Sequence, residues 1–252
     1  MKILNRILKQ IELSRVLKLK QYLYYRIQKN KVLKLSVYGK DIWIRKRTPD
    51  LYVAISCFGG EFDLLRHLFP KDYSGIIVDA GGYIGTAAIV FSEMYPKAKI
   101  ITIEPSLDNF NILQRNIAKY KNIKAIHGAL SASDIPTATL HNRNTGEWGF
   151  TLIKNPKDHP EAHEICEVPV FRLSTLGVNI EDIGILKLDI EGGEHAIMTY
   201  DYEDLELIPA IVIELHNRII EGCTELFFSF SKNRIVIKDN GEKYLSLKKE
   251  FN

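Results

Sequence analysis

Cysteine is scarce in this 252-residue chain, and Cys57, Cys166 and Cys223 are far apart with no C-x-x-C spacing. An odd, scattered set argues against a disulfide framework or a zinc cage and favours a reducing compartment. No apolar run approaches the ~18 residues of a membrane span. The basic N-terminal residues also lack the uninterrupted apolar segment of a signal peptide. We therefore expect a cytoplasmic location.

An excess of charge of one sign is also missing. The formal net charge is only +3, which is too small to predict nucleic-acid binding. With 46% hydrophobic and 26% charged residues, the chain can bury a large core without a metal or disulfide. Its length suits one large α/β domain, alone or with an N-terminal extension.

Residues 1–34 form the one strongly basic segment, with ten Lys and Arg residues against a single acid, Glu12. Apolar residues recur there near helical spacing, which predicts one or two amphipathic helices. Such a segment suits peripheral contact with the inner face of an anionic membrane. Packing on the catalytic domain or on a second subunit is the favoured interpretation, because basic helices commonly just face water. The oligomeric state stays open. We treat 1–34 as an extension and 35–252 as the main domain.

The clearest pattern in the main domain lies at residues 76–104. A β-branched run at 76–78 is followed by three glycines between positions 81 and 85, and then by apolar residues at helical spacing. A second apolar strand ends at Glu104. A strand–turn–helix–strand unit of this kind opens a parallel sheet, whose ligands bind at the carboxyl ends of its strands.

Later segments extend the predicted sheet. An Asn-Gly pair at 240–241 between two alternating runs predicts a C-terminal antiparallel hairpin. Residues 132–165 are polar and predict an insertion or hairpin over the cleft, and residues 35–46 predict a hairpin around Gly39. The further strands are predicted at 123–127, 168–173, 183–189, 210–215, 234–238 and 243–247. Together they predict an α/β fold with a mostly parallel sheet.

The glycine spacing discriminates between cofactors. Glycines at 81, 82 and 85 miss the G-x-G-x-x-G pattern of dinucleotide folds, and Asp79 would repel a pyrophosphate. A phosphate-free ligand with an ammonium end fits better, and S-adenosylmethionine is such a ligand. Glu104 is then placed to accept hydrogen bonds from the ribose hydroxyls, because a carboxylate has several acceptor sites.

Three blocks, D-A-G-G-Y-I-G-T at 79–86, I-E-P-S at 103–106 and L-K-L-D-I-E-G-G-E at 186–194, resemble the FkbM-type family of S-adenosylmethionine-dependent methyltransferases. I-V-I-E-L-H at 211–216 is also similar. The resemblance implies a class I, Rossmann-like sheet of seven strands and O-methylation, often of sugar hydroxyls or natural products. It implies the following cofactor residues: Asp79, Gly81, Gly82, Tyr83, Gly85, Glu104, Pro105, Asp189 and, near the adenine, Leu130. Gly82-Tyr83 stands where many relatives look more like Ala-Asn.

Two acid-containing pairs mark the ends of later strands. Asp189 and Glu191 are two residues apart, as are Glu214 and His216, so an extended chain would place each pair on one face. If the two strands are neighbours, all four groups converge where an acceptor hydroxyl must lie. His216 is the predicted general base, with Asp189 or Glu191 as alternative bases or orienting groups. A divalent cation held by these acids is an alternative means of activating the hydroxyl.

Other titratable residues receive structural interpretations. Glu194 begins a predicted helix, where an acid complements the helix dipole. His159, His163 and Cys166 lie close in sequence, but Pro160 and neighbouring acids favour surface residues over metal ligands.

We predict an O-methyltransferase acting on a sugar or glycan hydroxyl in capsule, lipopolysaccharide or other glycoconjugate biosynthesis. The alternatives are a natural-product or lipid hydroxyl, or a non-catalytic protein that binds cofactor or glycan.

Overall fold

The computed structural model describes residues 16–154, 161–239 and 241–249, and the chain divides into two compact units, 1–65 and 66–252. The first unit contains helix α1 (Lys18–Ile27), strands β1 (Val32–Val37) and β2 (Lys40–Arg45), and helix α2 (Asp50–Ser56). β1 and β2 pair as the predicted hairpin around Gly39. Because β1 begins at Val32, the predicted boundary between residues 34 and 35 falls inside a strand.

The second unit holds eleven strands among its described residues. They are β3 (Ile76–Ala80), β4 (Lys99–Glu104), β5 (Ile123–His127), β6 (Ala129–Leu130), β7 (Thr137–Asn142), β8 (Phe150–Thr151), β9 (His163–Phe171), β10 (Ile183–Leu188), β11 (Ala210–Glu214), β12 (Arg234–Lys238) and β13 (Lys243–Lys248). Its α-helices, among the described residues, are α3 (Thr86–Met94), α4 (Leu107–Ile117), α5 (Glu194–Tyr200), α6 (Tyr202–Leu207) and α7 (Cys223–Phe230).

Seven of these strands form the central sheet, in the order β12-β13-β11-β10-β3-β4-β5. The five from β11 to β5 are parallel, whereas β13 runs antiparallel to both of its neighbours. The central strands β3 and β10 are buried along their whole length, which explains their continuous apolar runs. The strand order reverses between β3 and β10, and ligands of open α/β sheets bind at such a point. The predicted sheet with its C-terminal antiparallel hairpin is confirmed.

The polar insertion contributes strands to a second, four-stranded sheet in the order β6-β9-β7-β8. β7 and β9 pair antiparallel, as expected of a hairpin, around a small core of Ala129, Leu140 and Val168. The strand predicted at 168–173 was misplaced, because β9 begins earlier, at His163. Its outward residues are mostly polar and exposed, so hydrophobicity alone revealed only its buried end.

No helix in the described ranges is long and apolar enough to cross a membrane.

Candidate active site

The glycine turn between β3 and α3 is fixed by the two strands that flank β3. The N–H groups of Gly81 and Gly82 both donate to the carbonyl oxygen of Ile103, at 3.0 and 2.9 Å. Gly81 has a φ of +78°, and a Cβ there would lie 1.8 Å from the carbonyl oxygen of Asp189. A Cβ on Gly82 would lie 2.1 Å from Oγ1 of Thr102. Both positions therefore require glycine for packing of the turn.

Gly81→Ala should destabilise the protein more than Gly177→Ala does. Both glycines have left-handed backbones, with φ of +78° and +74°, but a Cβ on Gly177 meets no atom within 4 Å. The control should lose ~1–2 kcal/mol from backbone conformation alone. Gly81→Ala must in addition displace the Asp189 backbone. Chemical denaturation of both variants measures the difference, and equal losses would contradict the steric argument.

Asp79 lies beneath this turn and is fully buried. The residue opposite Asp79 on β10 is Lys187, and the one opposite it on β4 is Thr102. One carboxylate oxygen lies 3.1 Å from Lys187 Nζ, and the other accepts a hydrogen bond of 2.8 Å from the Thr102 hydroxyl. Lys187 Nζ also donates to the Gly81 carbonyl oxygen at 3.0 Å. The direct cofactor contact predicted for Asp79 does not fit this burial, and Asp79 instead supports the turn through Lys187.

Glu104, at the end of β4, is also buried. Its carboxylate accepts hydrogen bonds from the N–H groups of Tyr83 and Ser106, at 2.8 and 2.9 Å, and from the side-chain amide of Asn109 at 3.1 Å. Burial raises the pKa of Glu104 to about 7, although these hydrogen bonds and the charge of Lys187 act in the opposite direction. Three of its acceptor sites are thus in use, which leaves room for one ribose hydroxyl rather than two.

The pKa of Glu104 predicts a pH-dependent stability difference. A carboxyl whose folded pKa is raised contributes stability below its unfolded pKa of 4.5 and loses it as the pH rises through about 7. Glu104→Gln carries no charge at any pH. Wild type should therefore lose stability relative to this variant between pH 4.5 and 7. Parallel melting curves across that range test it, with exposed Glu203→Gln as the control; a constant difference would contradict the assignment.

The other predicted cofactor positions divide into two groups. Gly82, Tyr83, Gly85 and Leu130 are buried, whereas Gly81, Pro105 and Asp189 are partly exposed. The Tyr83 side chain is 8% exposed, and its backbone N–H, rather than its ring, contributes the bond to Glu104. Leu130 packs in the main hydrophobic core, so it does not present an open surface to an adenine here.

The predicted catalytic residues do come together. Because β10 and β11 are parallel neighbours, Asp189, just after β10, and Glu214, the last residue of β11, meet at one edge of the sheet. His216 Nε2 lies 3.5 Å from Glu191 Oε1, 3.8 Å from Glu214 Oε1 and 4.0 Å from Asp189 Oδ1. The prediction that an extended chain places Asp189 and Glu191 on one face is wrong, because Glu191 lies in the turn after β10 and has a φ of +49°.

His216 is fully buried, and its Nδ1 lies 2.9 Å from Oε1 of the equally buried Glu194. Burial lowers the pKa of His216, but the nearby carboxylates of Glu191 and Glu194 outweigh burial and raise the pKa to about 11. An imidazole that already carries its proton cannot remove one from a substrate. The general-base role predicted for His216 is therefore inconsistent with this site.

Glu194 does more than complement the dipole of α5. Its carboxylate accepts hydrogen bonds of 2.8 Å from the N–H groups of Ile190 and Gly192, besides its contact with His216. It thereby fixes the turn that carries Glu191 and the orientation of the imidazole ring. The sequence pattern placed Glu194 in the first helical turn but did not reveal this second set of partners.

Asp189 and Glu214 form the accessible part of the cluster, with side chains 29% and 24% exposed. Burial alone would raise the pKa of Asp189, but Lys187, Lys243 and His216 lower it below the usual value. Burial and the charge of Asp189 raise the pKa of Glu214. Neighbouring carboxyls with pKa values displaced in opposite directions suit separate acid–base roles. Of the two, Glu214 has the more basic carboxylate, whereas the sequence predicted His216, or alternatively Asp189 or Glu191, as the base.

Residues of the insertion contact both the turn that carries Glu191 and the helix residue that holds Glu104. Arg143, after β7, lies 3.5 Å from Glu191 Oε2, and the Thr151 hydroxyl on β8 donates to the Glu191 carbonyl oxygen. Asn109, which holds Glu104, also donates to the carbonyl oxygen of Glu147 at 2.9 Å. These contacts place the insertion beside the cleft, as predicted.

The sequence pattern favours His159, His163 and Cys166 as surface residues rather than metal ligands. His163 is exposed, and its ring contacts the Glu161 carbonyl oxygen at 3.0 Å. Cys166 is exposed, and His159 lies outside the described residues.

Comparison with known proteins agrees with this geometry. The model of the Methyltransferase FkbM domain matches residues 79–244. "Methyltransferase 1" of Beauveria bassiana (strain ARSEF 2860) is 32% identical over 169 residues, which cover 58% of this chain and 66% of that protein, just under two thirds of its length. "Methyltransferase sdnD" of Sordaria araneosa is 27% identical over 215 residues, covering 66% of this chain and 82% of the relative.

Solved structures show a more distant likeness. A putative caffeoyl-CoA O-methyltransferase from Staphylococcus aureus has a TM-score of 0.45 and 11% identity, covering 74% of this chain and 81% of that one. The family match extends from the buried acid beneath the glycine turn to the C-terminal hairpin, and so includes every strand end described above. The chain therefore belongs to the FkbM methyltransferase family.

Proposed function

We propose that this methyltransferase acts on a carbohydrate hydroxyl, with Glu214 as the base that removes the hydroxyl proton. The observation that carries the proposal is the pair of partly exposed carboxylates at the ends of β10 and β11. Oxygen atoms of Asp189 and Glu214 lie within 4.8 Å of each other. Sugars carry hydroxyls on neighbouring carbons. Two carboxylates so placed can each accept a hydrogen bond from one of these hydroxyls.

The residues of the glycine turn fit a methyl donor without phosphate. The N–H groups of Gly81 and Gly82 already donate to Ile103, so they are not available to cradle a phosphate. Asp189, beside the turn, offers negative charge to a cationic ligand, and Glu104 retains one acceptor site for a ribose. When bound, S-adenosylmethionine supplies a methyl group on a positively charged sulfonium.

The carboxylates have complementary tasks in this proposal. A sugar hydroxyl is a poor nucleophile until a base removes its proton. Glu214, with its raised pKa, takes that proton, while Asp189 stays ionised and orients the acceptor through a second hydroxyl. Such alignment supplies much of the rate in a displacement reaction.

The acceptor class is tested by incubating the protein and S-adenosylmethionine with nucleotide sugars, free glycans, glycolipids, fatty alcohols and phenolic natural products. We expect a 14-dalton mass increase on a sugar hydroxyl only. Methylation confined to lipid or phenolic hydroxyls would overturn the carbohydrate assignment. Cofactor binding without turnover on any acceptor would favour the non-catalytic alternative.

We further propose that the first unit contacts an anionic membrane surface. Helix α1 exposes Leu23, Tyr24 and Ile27, by 49%, 40% and 76%, along one helical face, with exposed Lys20 and Arg26 alongside. An apolar stripe flanked by bases suits an interface with anionic lipid. Full-length protein should sediment with phosphatidylserine vesicles at low salt, and Leu23→Gln/Ile27→Gln should not. Equal, negligible sedimentation of both would refute the proposal.

A further inference from the structure

One buried nitrogen in the active-site cluster has no hydrogen-bond partner. His216 is fully buried, and its Nε2 completes no hydrogen bond with any of the described residues. It points instead at oxygen atoms of Asp189, Glu191 and Glu214, 3.5–4.0 Å away. A buried polar atom without a partner costs free energy, so its position needs an explanation.

The other ring nitrogen fixes this orientation. His216 Nδ1 is held at 2.9 Å by Glu194, which is itself fully buried and fixed by two backbone N–H groups. A histidine that binds a metal through one nitrogen commonly donates its other N–H to a carboxylate. Glu194 therefore places His216 as such a ligand, with Nε2 directed into the cluster.

The two accessible carboxylates are oriented in a complementary way. Asp189 turns Oδ2 toward Lys187, at 3.6 Å, and Glu214 turns Oε2 toward Lys243, at 3.4 Å. Their remaining oxygens, Oδ1 and Oε1, face His216 Nε2 at 4.0 and 3.8 Å. Ligand atoms bound to one ion at ~2.1 Å lie about 3–4 Å apart, so only small side-chain shifts would bring these three atoms onto an ion.

We propose that Asp189 Oδ1, Glu214 Oε1 and His216 Nε2 bind one divalent transition-metal cation. One imidazole and two carboxylates suit ions such as Mn²⁺ or Zn²⁺. Nε2 releases its proton to solvent as the ion binds, so proton and cation compete for the same nitrogen. Three protein ligands leave positions open for water or for an acceptor hydroxyl, whose proton the ion would acidify. That last use rests on the proposed function, whereas ion binding does not.

Binding is measured on full-length protein, freed of metal by a chelator and titrated with Mn²⁺ without acceptor or methyl donor. Electron paramagnetic resonance counts the unbound Mn²⁺. We expect one Mn²⁺ per chain in wild type, and at least a tenfold weaker site in Asp189→Asn and in Glu214→Gln. Glu203→Gln, an exposed acid on α6, is the matched control and should bind as wild type does. Zn²⁺ should displace the bound Mn²⁺.

The outcomes separate this inference from the proposed function. The inference is overturned if the wild-type protein has no site that binds one Mn²⁺ per chain. It is also overturned if the affinity for Mn²⁺ is unchanged in both Asp189→Asn and Glu214→Gln. Melting curves show whether each variant is folded before its affinity is compared. One-to-one Mn²⁺ binding that both variants weaken supports the inference even if no carbohydrate is methylated. Full sugar methylation in excess chelator, without bound metal, refutes the acidification of the acceptor hydroxyl by the ion and leaves the proposed function intact.

Discussion

Glu214→Gln is expected to lower kcat by ~10²–10⁴-fold, the usual contribution of a general base. The substitution keeps the size of the side chain and an oxygen for Lys243, which lies 3.4 Å from the wild-type carboxylate. It removes the group that accepts the hydroxyl proton. Turnover is measured as formation of the demethylated cofactor product. The acceptor is the compound that becomes methylated in the incubations with sugars, glycans, lipids and phenolic compounds.

The matched control is again Glu203→Gln, which should retain wild-type turnover. Affinity for S-adenosylmethionine should change little in Glu214→Gln, because Glu104 and the glycine turn are untouched. In wild type, turnover should fall as the pH drops through the raised pKa of Glu214, since the protonated carboxyl is no longer a base. Full turnover in Glu214→Gln would remove this residue from the mechanism.

The parallel sheet was predictable because each of its strands carries its own local signal. The β-branched runs of β3 and β4 and the apolar run of β10 reflect burial on both faces, and Asn-Gly marks the final hairpin. Convergence of Asp189 and Glu214 followed from one further rule, that parallel neighbours end at the same edge. Each of these inferences needs only the residue pattern within one short segment and the knowledge of which strands are parallel neighbours.

The roles of the charged residues were not predictable in the same way. Asp79 precedes the glycine turn, but its burial depends on Lys187, which is far along the chain and lies opposite it on β10. The protonation of His216 likewise depends on Glu191 and Glu194 in a different turn. Sequence spacing places such groups near one another, yet it does not tell which carboxylate faces the cleft and which one is a buried support.

Glu194→Ala should cause the largest loss of stability among single substitutions at this site. Glu194 is fully buried and satisfies three groups, the N–H groups of Ile190 and Gly192 and the Nδ1 of His216. Removing one partner of a buried ion pair costs ~3–5 kcal/mol, because the other charge remains buried without compensation. Chemical denaturation at pH 7 measures the loss, with Glu203→Ala, on a neighbouring helix surface, as the control.

A double-mutant cycle with His216→Gln isolates the pair. If Glu194 acts through the imidazolium, its loss should cost much less once His216 has been replaced, whereas additive losses would contradict the pairing.

The pH dependence of this stability contribution has a defined sign. Because the folded pKa of His216 is raised to about 11, its stabilising contribution is complete below its unfolded pKa of 6.5 and is lost as the pH rises through 11. The stability gap between wild type and Glu194→Ala should therefore narrow across that window, and a gap that stayed constant would mean that the buried histidine is neutral.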